Sequence, residues 1–134
     1  MSMQPTSAPE EHCARVRTAL LKLHRTLVGL ERQLYEKVHG RQSAGDFLQV
    51  MAYDESMRWL EPLSRLIVML DEALDEKSTV DMAPHVVAAR ALELLKLDRQ
   101  RTDEFSSRYL QYFDRSPDLV VEHTTLVRLL NTAV

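Results

Sequence analysis

Glycine and proline are scarce in this chain, three and five among 134 residues, and long stretches hold neither. That scarcity favours helix over strand. No apolar run approaches the roughly 18 residues of a membrane-spanning helix. The longest strong block is Leu66 to Leu70, so no membrane association is expected. A single cysteine, Cys13, cannot form an internal disulfide and fits a reducing compartment. The opening MSMQPTSAPE has neither a basic start nor an apolar core, so it does not read as a secretory signal, and the cytoplasm is the expected location. Basic surplus is missing too. A net charge of −3 argues against a general nucleic-acid binder.

Motifs of chemistry are equally sparse. The chain has no phosphate-cradling glycine loop, no G-x-S-x-G, no H-E-x-x-H and no paired-cysteine zinc pattern. Cys13 has no His or Asp at a nucleophile's spacing and reads as a small core residue.

What is present is helical periodicity. Hydrophobic residues make up 45% and charged residues 28%, the balance of one folded domain, here residues 9–134 behind a loose tail over 1–8. Ser7, Pro9 and Glu10 suit a helix entrance. Cys13, Val16, Leu20, Leu23, Leu27, Leu30 and Leu34 then recur in steps of three and four, predicting a helix over about 9–39 that Gly40 stops. A short helix follows, Phe47 to Tyr53, and Asp54 caps a central helix over about 55–76. Trp59, Leu63, Leu66, Leu70 and Leu74 line that helix, and Pro62 predicts a kink near Arg58 to Glu61. A third helix is expected over about 83–114 and a fourth over about 117–132. The fold class expected is all-α: an antiparallel bundle of four main helices plus one short one.

Charge is segregated along the chain. Residues 14–41 hold seven Lys/Arg against two Glu, whereas residues 46–81 hold nine Asp/Glu against three basic residues. The first and central helices either lie antiparallel and offset each other, or the basic face recruits an acidic partner. Asp71, Glu72, Asp75 and Glu76 crowd the negative end of the central helix, an unfavourable placement that points them at helix 1 or a partner.

The run from His39 to Glu76 resembles a segment of small, uncharacterised bacterial all-helical proteins. His39-Gly40-Arg41, Phe47-Leu48-Gln49, Trp59-Leu60 before Pro62-Leu63-Ser64, and Leu66-Ile67-Val68 with Asp71-Glu72 carry the likeness. It implies a bacterial origin and a helical fold, and no activity.

Three functional readings follow. The first is a non-enzymatic bundle acting by protein–protein contact, as a homodimer, with no cofactor. The second is a small-ligand site near Tyr53, Met57, Arg58 and Trp59, extended by a polar layer of His24 and Asp98. Asp98 and Thr102 interrupt the apolar stripe of the third helix, and an acid there needs a partner such as His24, Arg25 or Arg65. A satisfied layer that fixes helix register is the structural alternative. The third reading is metal-dependent chemistry at Glu36 and His39, an E-x-x-H pair on one helix face. The dinuclear bundle proteins need two such pairs and further carboxylates, and only one pair is here. His12, His85 and His123 read as surface residues near helix starts. Gly29 reads as room for the Trp59 indole.

Overall fold

A computed structural model describes residues 8–75 and 83–132. Every regular element among the described residues is helical. The tail up to Ser7, Glu76 and the connector from Lys77 to Met82 lie outside them.

Helix α1 spans Ala8–His39, about 48 Å at 1.5 Å per residue. Gly40 ends it at φ +84°, and its N–H returns to the Glu36 carbonyl at 2.8 Å. A side chain there would meet the left-handed penalty that glycine escapes. Helix α2, Ala44–Tyr53, starts where Ser43 accepts the Asp46 N–H. Asp54 then accepts the Ser56 N–H and opens a 3-10 segment, Glu55–Leu60, which passes directly into α3, Glu61–Leu74. The expected central helix is therefore two pieces joined where the proline predicts. Pro62 sits in the first turn of α3, where its missing N–H costs nothing.

The third helix is also two, and here the expectation of one continuous rod is overturned. Helix α4 covers Pro84–Leu94 and α5 covers Glu104–Arg115. Between them the polar run from Lys96 to Asp103 folds on itself. The Asp98 carboxylate accepts the Gln100 N–H at 2.9 Å, and Asp103 caps α5 by accepting the Ser106 N–H at 3.0 Å. Arg101 closes the open end of α4, donating to the Glu93 carbonyl at 2.8 Å and pairing with the Glu93 carboxylate. Aspartates compete with helix by bonding nearby backbone, and two of them with almost no apolar residue to bury outweigh the lack of glycine or proline. Asp98 and Thr102 thus leave the apolar face and sit in or beside an exposed turn. Helix α6, Pro117–Asn131, follows from Ser116, which accepts the Leu119 N–H.

The helices are antiparallel where it matters. Arg17 pairs with Asp71, His24 with Ser64, and Glu31 with Trp59, so numbers rise along α1 as they fall along the 3-10–α3 arm. Thr26 donates to Glu122 at 2.8 Å, which ties α1 to α6 at that level. Arg17–Asp71 also answers the misplaced acids of α3, although a half-exposed pair contributes only about 0–1 kcal/mol. The core lies between these rods: Val16, Leu20, Leu23 and Leu27 meet Leu60, Leu63, Leu66 and Leu70, with Val87, Ala91, Leu95, Leu119 and Leu126 closing the sides.

Gly29 does not make room for the indole. It faces solvent, and a Cβ built there meets nothing within 4 Å. Since its backbone is helical, Gly29→Ala is expected to raise stability by about 0.4–1 kcal/mol in urea unfolding. Leu63→Ala, at a fully buried position, is expected to lower it by about 2–5 kcal/mol.

Candidate functional site

The most heavily built cluster of polar side chains lies where the core gives way to the end of α1. Glu31 is 4% exposed, a carboxylate on the inner face of α1. The Trp59 Nε1–H donates to its Oε1 at 2.8 Å, and the Arg108 guanidinium of α5 stands 3.9 Å from the same oxygen. The Tyr112 hydroxyl is buried beside it without a partner at hydrogen-bonding geometry. Burial, and then the adjacent Glu31, pushes the Tyr112 phenol above its ordinary range.

Aromatic rings wall this cluster. Trp59 stacks on Tyr112 at 5.9 Å and packs on Phe105 at 5.7 Å, and Phe105 stacks on Tyr109 at 5.5 Å. The ladder ends at His123, whose Nδ1 lies 2.6 Å from the Tyr109 hydroxyl. Burial, followed by the charge of Glu122, pushes the Tyr109 phenol above its ordinary range, so its hydroxyl stays protonated in the hydrogen bond it shares with His123 Nδ1. Burial also lowers the His123 pKa. His123 is thus a neutral core group and not the surface residue expected.

The sequence candidates separate. Met57 and Trp59 are buried in the core, whereas Tyr53 and Arg58 face solvent, Arg58 loosely paired with Glu55 at 3.9 Å. The four form no common pocket wall. His24 and Asp98 do not pair: His24 meets Ser64 Oγ through Nε2 at 2.9 Å, and Asp98 serves its own turn. Burial lowers the His24 pKa, so the neutral ring faces a serine hydroxyl. A base beside a hydroxyl is the start of a nucleophile, but activation also needs a third group to orient the base. Among the described residues none is hydrogen-bonded to His24 Nδ1, and the contact ties α1 to α3. Cys13 is half-buried, and burial raises its thiol pKa, which disfavours the thiolate.

Glu36 and His39 are committed elsewhere. Glu36 accepts the Gln42 N–H at 2.7 Å, Arg32 donates to the Gln42 carbonyl at 2.6 Å, and together they lock the turn from α1 into α2. His39 packs against Tyr35 with ring centres 4.3 Å apart. Among the described residues no three His, Cys, Asp or Glu side chains gather as metal ligands, and no helix is long and apolar enough to cross a membrane.

Sequence reasoning passes over Glu31 and Arg108, reads His123 as a surface residue, and places Tyr112 on an inner stripe without giving its hydroxyl a role. Two carried a signal. Glu31 follows Leu27 by four, and His123 stands four after Leu119 and three before Leu126, so both occupy inner-face positions. Compared with known protein families, with curated proteins and with solved structures, the chain matches none.

His123, buried, and His24, half-buried, fix a pH response. Their folded pKa values lie below the unfolded value of about 6.5, so the unfolded chain binds protons first. Stability is fully present above about pH 6.5 and declines as pH falls below it. Urea unfolding at stepped pH should show this decline, and His24→Gln with His123→Gln should flatten it well above the range in which carboxylates titrate.

Proposed function

We propose that this chain is a non-catalytic helical-bundle protein that acts through protein–protein contact and pairs with a second copy of itself. One observation carries the reading. The inner-face row of α1 continues beyond the core into Leu34, 41% exposed, and Val38, 78% exposed. The next helix, α2, also exposes Leu48 at 68% and Tyr53 at 80%. Four of the seven large apolar residues exposed among the described residues therefore fall within residues 34–53.

A row that points inward along most of a helix and then loses its cover lacks a neighbour at that end. A two-fold partner supplies one economically, because the same patch on both copies is self-complementary. Two α1 ends laid antiparallel set Leu34 of one copy against Val38 of the other, at the spacing used inside the bundle. The row is legible in the sequence and belongs to the same stripe that builds the core, which favours a second copy over an unrelated chain. Cys13 as a lone thiol supports placing the protein in the cytoplasm.

Light scattering coupled to size exclusion is expected to give a dimer at micromolar concentration. Leu34→Asp with Val38→Asp is expected to give a folded monomer with its melting temperature changed by no more than a few degrees. A wild-type monomer at high micromolar concentration would remove the self-pairing.

A further inference from the structure

The basic residues of α1 do not spend themselves on the acids of α3. Across residues 11–30 the charged side chains are Glu11 against Arg15, Arg17, Lys22 and Arg25, and only Arg17 reaches an acid of α3. Arg15, Lys22 and Arg25 are exposed on the far side, as is Arg128 on α6, and none makes an ion pair among the described residues. Glu122, an acid on the facing helix, is turned onto Thr26 and does not offset them.

Between α1 and α6 runs an open groove of about 410 Å³. Ala14, Ala19 and Leu129 contribute apolar surface, Thr18 and Thr125 complete the lining, and Arg15 and Lys22 stand along its α1 side. Small residues let a third helix approach both walls closely, and helices in contact lie about 8–10 Å apart. The cations select what that helix must carry.

We propose that this groove receives an acidic amphipathic helix of a partner protein, its apolar side seated on Ala19 and Leu129 and its carboxylates on Arg15 and Lys22. The proposal deepens the protein-contact reading but uses a different surface from the self-pairing ridge. Helix-in-groove recognition needs both parts: buried apolar anchors for affinity and flanking charge for orientation and encounter rate. A nucleic-acid backbone would use the cations and leave the apolar floor idle, and no aromatic residue lines the groove for base stacking.

The probe is a synthetic fluorescein-labelled helix of Glu, Ala and Leu with one apolar face, titrated with the full chain and followed by anisotropy. A scrambled peptide of equal charge without that face is the control. Saturable binding at least about tenfold tighter than the control is expected, weakening with salt. Arg15→Glu with Lys22→Glu, and separately Ala19→Trp, which fills the floor, should each lower affinity by about tenfold or more while retaining the helical spectrum. Leu34→Asp with Val38→Asp should leave the affinity within about twofold, so loss of self-pairing and loss of peptide binding are read apart. Equal binding of the scrambled peptide, indifference to both groove variants, or displacement of the peptide by phosphatidylserine vesicles would each overturn the proposal.

Discussion

A carboxylate taken out of water has to be held, and the burial of Glu31 organises one end of this molecule. An unpaired ionised group in the core costs several kcal/mol, so its surroundings must supply donors. The Trp59 N–H supplies a direct one and Arg108 a nearby positive charge, from the 3-10 segment and from α5 respectively. One side chain of α1 thereby sets the height of two other elements. A slip of one residue along α1 would turn the acid out and leave the indole N–H buried without an acceptor, which a purely apolar seam would not penalise so sharply.

That layer also marks where cover for α1 thins. Below it the helix is flanked by α3, α4 and α6; above it lie the α1–α2 turn, locked by Glu36, Arg32 and Gln42, and Phe47 of α2, which packs on Tyr35 and Arg32. The inner row nevertheless continues, and so two surfaces with different chemistry arise from one helix. Its far end carries exposed apolar residues, and its near half lines the α6 groove with cations that make no ion pair among the described residues. Neither feature is needed to hold the fold, and exposed apolar residues and concentrated charge both have costs in solubility and self-repulsion.

Much of this architecture was readable from residue spacing. The long stripe gave α1, Gly40 gave its end, Asp54 gave a cap, and Pro62 gave the break in the central arm. The division of the third helix was not readable as such, because the signal lay in Asp98 and Asp103, residues that a rod can carry on an exposed face and that become stops only when both bond local backbone. The inner polar residues were missed for a related reason. Steps of three and four admit both Leu30 and Glu31, and apolar pattern alone prefers the leucine. Asp98 was drawn to His24 by assuming a continuous helix; once α4 ends at Leu94, that acid leaves the face that His24 could meet. Which donors would surround a buried acid depends on pairs 28 and 77 positions apart, Trp59 and Arg108 with Glu31, and such distances follow only from the assembled bundle.

The account is tested most directly by a double-mutant cycle on Glu31→Ala and Trp59→Phe, read as unfolding free energy in urea at neutral pH. If the buried carboxylate and the indole N–H hold this end of the bundle together, the single changes are each destabilising and their coupling exceeds about 1 kcal/mol. Additivity within about 0.5 kcal/mol would show that the two residues pack side by side without depending on each other, and the acid would then be no keystone.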